Sequence, residues 1–246
     1  MFRKINYKHL FFALLKKQPL YKVDGNSTHE EFLKSSISFL LDSLLYSQEL
    51  WLLEFGTGGK SSILMREFLE KHTEIKLYSF ESNIEWLEKH KAAFPINSRH
   101  KLIHVENGDW SGETQTVLKE IPDNVMLLSF IDSHPWNSRV IILEILRHRS
   151  DIFLVHDCDY FPHNNIFGIE LDPIQFKPTG RIRYGKLKPQ HLGERRYEDV
   201  AKYWMELFPI EPGYFTGPPT LIASNRLNLS DIILPKNSIT QSKSKD

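Results

Sequence analysis

The stretch LLEFGTGGKSS, residues 52–62, decides the fold prediction because it joins an apolar run to a helical pattern through glycines. The apolar residues before Gly56 predict a buried strand, and the spacing in SSILMREFLEKH (61–72) predicts a helix. The Gly-Lys-Ser triplet in this stretch suggests a phosphate loop, but the first glycine of that motif would fall on Glu54. A carboxylate at that position would repel triphosphate oxygens. The sequence therefore disfavours an ATPase.

Strands and helices alternate along the chain from residue 28 to residue 157. The predicted strands are 50–55, 75–80, 100–106, 125–132 and 151–157. The predicted helices are 28–47, 61–72, 83–94, 112–121 and 138–148. Parallel strands need long crossover connections, and helices supply them here. The pattern predicts an α/β fold with a doubly wound, mostly parallel, Rossmann-like sheet.

The alternation of predicted strands and helices stops after Asp157. Residues 158–195 contain prolines and glycines without a sustained period, which predicts a long irregular insertion. Residues 197–208 have helical spacing, and residues 210–224 predict two short strands around a Gly-Pro-Pro turn. We expect this hairpin to close the sheet as an antiparallel edge.

The composition predicts one globular domain. The 246 residues contain 41% hydrophobic and 25% charged side chains, and 31 Lys and Arg balance 31 Asp and Glu. No global charge attracts nucleic acid or an anionic membrane. The single cysteine, Cys158, excludes an internal disulfide and suits a reducing compartment, so we predict a cytoplasmic protein.

The chain divides into three predicted parts. Residues 1–27 form a surface helix and linker, because the apolar run at 9–15 is far shorter than the ~20 residues that span a bilayer. Residues 28–225 form the domain with its insertion. Residues 226–246 form a polar tail that we expect to fray.

The glycine turn resembles the first motif of class I S-adenosylmethionine-dependent methyltransferases, in which an acid ends strand one and Gly-x-Gly follows. The matching residues here are Glu54, Gly56, Thr57, Gly58 and Ser61. The resemblance implies that this turn supports the methionine part of S-adenosylmethionine. It also implies that Glu81, with Ser82 after it, binds the ribose hydroxyls at the end of strand two. Asp109 and Trp110, after strand three, would bind and stack on the adenine.

Each of these positions also has a structural interpretation. Glu81 suits a helix N-terminus, Asp109 suits a helix cap, and Trp110 suits ordinary packing. Two other functions also remain open. Gly56 and Gly58 with Glu81 suit an NAD(P)-dependent oxidoreductase, although Glu54 and Ser61 depart from the dinucleotide fingerprint. A noncatalytic module that binds the cofactor is the third hypothesis.

Candidate catalytic residues follow strands four and five. Asp132 and His134 end the first of these strands, and His156, Asp157 and Asp159 end the second. Of these, Asp132 is also a candidate contact of the cofactor. Both segments are similar to those of small-molecule O-methyltransferases, some of which hold Mg²⁺ between carboxylates and the substrate. That resemblance implies a metal site at Asp132, Asp157 and Asp159, since Mg²⁺ prefers oxygen ligands. The alternative to metal activation is a histidine base, His134 or His156, with Asp157 beside it.

The insertion carries a basic segment, residues 177–196, which contains seven Lys and Arg and one acid, Glu194. Such a segment over the pocket suggests an acidic, phosphorylated or sugar-like acceptor, and a solvated face is the alternative. It lacks the interleaved aromatic residues of a strand-binding groove, which disfavours nucleic acid. We expect a small hydroxylated acceptor and O-methylation, and the sequence leaves a homo-oligomer open.

Overall fold

The structure, a computed structural model, describes only part of the chain. The described residues are 28–46, 48–94, 97–135, 137–156, 181–182, 195–208, 210–211, 214–215, 220–229, 232 and 239–244. The predicted surface helix and linker (1–27), most of the insertion, and Asp157, Cys158 and Asp159 lie outside these residues. Of the basic segment, only the backbone pairing of 181–182 with 195–196 is described.

One eight-stranded sheet forms the centre of the fold. Its strands are β1 (Leu50–Phe55), β2 (Ile75–Glu81), β3 (His100–His104), β4 (Met126–Ile131), β5 (Ile152–Val155), β8 (Tyr203–Phe208), β11 (Thr220–Ser224) and β12 (Ile239–Ser244). The strand order is β3-β2-β1-β4-β5-β11-β8-β12. The first five strands are parallel, and the last three pair antiparallel. The predicted α/β doubly wound fold, mostly parallel with an antiparallel C-terminal end, is confirmed.

Short strands and helices complete the element order. Two small pairs lie outside the main sheet, β6 (Arg181–Ile182) with β7 (Arg195–Arg196) and β9 (Ile210–Glu211) with β10 (Tyr214–Phe215). The helices are α1 (Thr28–Asp42), α2 (Gly59–Lys71), α3 (Ile84–Ala93), α4 (Trp110–Glu120), α5 (Asn137–Leu146) and α6 (Tyr197–Val200). A 3₁₀ turn, Glu106–Gly108, precedes α4.

Two hydrophobic cores cover the two faces of the sheet. One contains Phe32 and Leu33 of α1 with Met65 and Leu69 of α2. The other contains buried residues of α4 and α5, such as Val117 and Leu143. The strands between them are buried on both faces, which explains why they read as continuous apolar runs rather than alternating ones.

The C-terminal part differs from the sequence expectation in three places. The helix predicted at 197–208 is a four-residue helix followed by strand β8, because pairing with β11 and β12 outweighs the apolar spacing of a short segment. The closing antiparallel pair is therefore β8 with β11 and not a hairpin within 210–224. Among the described residues, β9 at the start of that range pairs with β10. Residues 239–244, expected to fray, form the edge strand β12.

Within the part of the chain that the structure describes, no helix is long and apolar enough to cross a membrane.

Candidate functional site

The glycine turn lies at the carboxyl end of β1, where the sheet order reverses between β1 and β4. Gly56 has φ +88°, a left-handed conformation that favours glycine. A Cβ on Gly56 would lie 2.4 Å from the carbonyl oxygen of Asp132, so the turn also needs glycine for this close approach. In open α/β sheets, ligands bind in the crevice at such a reversal. The turn is therefore built and positioned as a ligand-binding loop would be.

Glu54, the acid of the turn motif, is fully buried beneath the turn. Its Oε1 accepts hydrogen bonds from the hydroxyls of Ser61 and Ser62, at 2.9 and 2.8 Å. Its Oε2 accepts one from the Ser79 hydroxyl at 2.8 Å. Burial raises the pKa of the Glu54 carboxyl, and the three serine hydroxyls act in the opposite direction. Glu54 thus connects β1, β2 and α2 beneath the turn, and its part in supporting the methionine end of a cofactor stays a prediction.

A buried chain of polar groups continues from Glu54 to the surface of α2. An Arg66 nitrogen donates to Nδ1 of His100 at 3.0 Å, so the proton of a neutral His100 ring is on Nε2. That Nε2 lies 3.0 Å from the Ser79 hydroxyl, which donates to Glu54. Burial, with the nearby charges of Arg66 and His90, lowers the pKa of His100 from 6.5 to about 4. The imidazole is therefore neutral near pH 7 and fixes the donor direction along the chain.

Glu81 ends β2 beside the same turn and is nearly buried. Its Oε2 accepts hydrogen bonds from the backbone N–H of Thr57 at 3.0 Å and from the Thr57 hydroxyl at 2.8 Å. Its Oε1 accepts one from the backbone N–H of Asn83 at 2.8 Å. Thr57 also accepts a hydrogen bond, from the indole Nε1–H of Trp86 to its carbonyl oxygen at 2.7 Å. The second acid is thus joined directly to the glycine turn.

The residues predicted to hold the adenine have structural roles here. Asp109 is the N-cap of α4, where its side chain accepts from the backbone N–H of Gly112 at 2.9 Å. Trp110 is 2% exposed and its ring packs within the core, and its stacking on an adenine stays a prediction. Among the described residues, no acceptor lies within hydrogen-bond distance of its Nε1. Ser82 accepts a hydrogen bond at its carbonyl oxygen from Nε2 of His104 at 3.3 Å.

Asp132 follows β4 and pairs with Arg139 of α5, with Oδ1 2.7 Å from the guanidinium. The Arg139 guanidinium also donates to the carbonyl oxygens of Ser133, at 3.0 Å, and of His156. Arg139 therefore connects the ends of β4 and β5 at the rim of the site. A divalent cation at Asp132 would lie next to a guanidinium, so the described environment of this carboxylate does not suit Mg²⁺.

The two candidate histidines lie at the same rim but differ in burial. His156 is half-buried after β5, with Nδ1 3.0 Å from the Thr220 hydroxyl of β11 and its ring stacked near Phe130. His134 is exposed and precedes Pro135 through a cis peptide bond. Asp157, the third candidate catalytic residue, and Asp159, the third candidate metal ligand, lie outside the described residues. Within the described ranges, no group of three or more His, Cys, Asp or Glu could hold a metal ion.

Four residues around the site were not predicted from the sequence: Trp86, His100, Arg66 and Arg139. Arg139 carried a signal, since it is a lone cation in the apolar stretch SRVIIL (138–143). Arg66, buried on α2, carried a weaker signal of the same kind. Trp86 and His100 carried none, because their partners Thr57 and Ser79 are 29 and 21 residues away along the chain.

Comparison with known proteins agrees with this architecture. No protein-family model matches the chain, and no curated protein matches it. A solved structure titled as a probable spermidine synthase from Corynebacterium glutamicum matches with a TM-score of 0.50 at 10% identity, over 89% of this chain and 75% of that one. At this identity the likeness shows the fold alone. That fold is the α/β Rossmann-like one.

Two further solved structures are similar at lower scores. Protein LPL1258 from Legionella pneumophila matches with a TM-score of 0.46 at 14% identity, over 88% of this chain and 96% of that one. A chain of a Pnkp1/Rnl/Hen1 complex matches with a TM-score of 0.39 at 10% identity, over 87% of this chain and 46% of that one.

Proposed function

We propose that the protein is an S-adenosylmethionine-dependent methyltransferase that methylates a hydroxyl oxygen of a small acceptor. The observation that carries this proposal is the carboxylate of Glu81, held at the end of β2 against the left-handed glycine turn. A carboxylate at this place can accept hydrogen bonds from ribose hydroxyls. The turn at the reversal of strand order provides the backbone approach that the methionine part needs.

Methyl transfer from S-adenosylmethionine needs little covalent participation by the protein. When bound, S-adenosylmethionine supplies a methyl group on a sulfonium that is already a good leaving group. The protein then has to orient the acceptor hydroxyl and remove its proton as the O–CH₃ bond forms. His156 is our candidate base, because Thr220 and Phe130 hold its ring at the rim. His134 and Asp157 are the other candidates, and Asp132 acts here as the partner of Arg139.

The acceptor and its surroundings follow from the sequence rather than from the described residues. We propose a small hydroxylated acceptor, sugar-like or acidic, and assign its recognition to the basic segment at 177–196. We derive no step through Mg²⁺, because Asp132 already faces the Arg139 guanidinium. A cytoplasmic location and a homo-oligomer stay predictions.

Calorimetric titration with S-adenosylmethionine, S-adenosylhomocysteine and NADH tests the cofactor part of the proposal. We expect both adenosyl ligands to bind and NADH not to bind. Glu81→Gln should lower the affinity for S-adenosylhomocysteine about 10-fold or more, because the hydrogen bonds from the ribose to a charged acceptor are lost. Glu85→Gln, on the exposed side of α3, is the matched control. Binding of NADH alone would favour the oxidoreductase, and no binding of any of the three would refute the proposal.

Transfer of a labelled methyl group tests the catalytic part. The protein should label hydroxylated acceptors in a panel of sugars, sugar phosphates and phenols, and His156→Ala should slow that transfer by about 100-fold or more with cofactor affinity retained. Cofactor binding without transfer to any acceptor, together with tolerance of His134→Ala and His156→Ala, would identify the noncatalytic module instead.

A further inference from the structure

Four residues form a closed ring of hydrogen bonds between the glycine turn and the start of α3. Thr57 donates to Glu81 through its backbone N–H and its hydroxyl. Glu81 also accepts from the backbone N–H of Asn83, whose side-chain oxygen accepts from the backbone N–H of Trp86 at 3.1 Å. The indole of Trp86 closes the ring by donating to the Thr57 carbonyl oxygen. We call this ring the turn latch.

The turn latch uses most of the acceptor capacity of Glu81. A carboxylate has about four lone-pair sites, two on each oxygen. Thr57 takes two sites on Oε2, and Asn83 takes one on Oε1. One site is left for a ligand. A ribose presents two neighbouring hydroxyls, so it needs one acceptor site more than the latch leaves.

We propose that the Thr57 hydroxyl competes with the cofactor ribose for Glu81 and leaves that carboxylate when the cofactor binds. This inference rests on the proposed function, because it assumes an adenosyl ligand at Glu81. Only the Thr57 side chain needs to turn, since the Trp86 indole and the Thr57 N–H bond hold the backbone of the turn in place. Rotation about χ1 moves a threonine hydroxyl to another staggered position. Thr57 therefore lowers cofactor affinity and makes binding depend on a side-chain exchange.

Thr57→Val tests the competition because valine keeps the shape and the backbone N–H but removes the hydroxyl. The variant should bind S-adenosylhomocysteine about 2- to 10-fold more tightly than the wild type, as expected for one hydrogen bond no longer broken on binding. Without ligand, its melting temperature should fall, because one Glu81 site loses its donor. Thr116→Val, which removes an exposed threonine hydroxyl bonded within α4, is the matched control. If the Thr57 hydroxyl had only a structural role, its removal would not raise the affinity for S-adenosylhomocysteine.

A second ligand makes the test specific to the ribose. S-(2′-deoxyadenosyl)homocysteine lacks one of the two ribose hydroxyls. The wild type should bind this ligand only slightly more weakly than S-adenosylhomocysteine, because the Thr57 hydroxyl returns to Glu81. In Thr57→Val the difference in affinity between the two ligands should be about 2- to 10-fold larger. Thr57→Ala, which also lacks the hydroxyl, replaces the valine variant if that variant does not fold.

The outcomes separate this inference from the proposed function. If the wild type binds S-adenosylhomocysteine and neither hydroxyl-free variant binds it more tightly, the competition is refuted and the proposed function stands. If neither the wild type nor the variants bind it, the proposed function fails and the inference fails with it. Binding by the hydroxyl-free variants with none detectable in the wild type would support the competition strongly.

Discussion

At the scale of single residues, the polar groups around the glycine turn are satisfied by one another. Glu54 accepts from three hydroxyls, and Glu81 accepts from two residues. Buried charges need such partners because an unpaired one costs several kcal/mol. The same bonds hold the turn in its conformation before any ligand binds, and they orient the carboxylates of Glu54 and Glu81.

His100 should make the stability of the protein depend on pH. Its pKa in the folded state, about 4, is below the ordinary 6.5, so the unfolded chain binds the proton more readily. The free energy of unfolding should therefore fall as pH decreases from about 6.5 towards 4. The contribution of this residue amounts to about 2 kcal/mol between pH 7 and pH 4.5.

Urea unfolding at the two pH values measures this dependence. His100→Gln should reduce the difference between them by about 2 kcal/mol, whereas His148→Gln, at an exposed position two residues after the end of α5, should keep it. An equal pH dependence in the wild type and in His100→Gln would contradict the neutral imidazole.

Gly56 and Gly59 should respond in opposite ways to alanine. Gly56→Ala places a Cβ 2.4 Å from the Asp132 carbonyl oxygen at φ +88°, and it should destabilise the fold by at least about 3 kcal/mol. At Gly59, no atom of the described residues outside its own helical neighbourhood lies within 4 Å of an added Cβ. Gly59→Ala should be neutral or stabilise by up to about 1 kcal/mol. Thermal unfolding of both variants checks the contrast, and equal effects would contradict the assigned geometry.

Part of the site was predictable at this scale. Glu54, Gly56 and Glu81 stand at the ends of strands whose apolar runs are clear in the sequence, so their location near one sheet edge followed from the strand assignments. Their partners did not follow. Thr57 contacts Glu81, and Trp86 contacts Thr57, only because two separate turns lie side by side in the sheet.

At the scale of elements, Arg139 connects α5 to the ends of β4 and β5. Its planar guanidinium contacts Asp132, Ser133 and His156 in three directions. Lysine offers one ammonium in place of this fork. Arg139→Lys should therefore destabilise the protein by about 2–4 kcal/mol, and Lys119→Arg on the exposed side of α4 should change stability by less than about 0.5 kcal/mol. Denaturant titration measures both, and a near-neutral Arg139→Lys would contradict the connecting role.

The type of an element was predictable where the apolar run and its period indicated the same structure. Strand β1 was predicted with its observed bounds because the run LWLLEF, apolar at every position except Glu54, ends at a glycine. Strand β8 was predicted as helix because YWMELF, residues 203–208, has apolar residues at spacings that suit either structure. Its neighbours β11 and β12 decide between the two by supplying backbone hydrogen bonds on both sides.

At the scale of the whole molecule, β12 covers the outer edge of β8 and ends the sheet. Removal of residues 239–246 should leave cooperative unfolding intact, because both cores lie on the other strands and helices. The β8 amides that pair with β12 should then exchange with solvent at least about tenfold faster. Hydrogen exchange by mass spectrometry measures this, with removal of residues 245–246 alone as the control. Unchanged exchange in β8 would contradict the pairing.

The sequence by itself determined the alternation of strands and helices, the glycine turn after β1 and the acids that end β1 and β2. These features depend on local spacing and on conformations that glycine favours, so they can be read from neighbouring residues. Only the tertiary structure decided which groups those acids bind, that Trp110 belongs to the core, and that Arg139 pairs with Asp132. The physical reason is that these contacts depend on sheet order and packing. His156 and Thr220, 64 residues apart along the chain, become neighbours only when β11 pairs with β5.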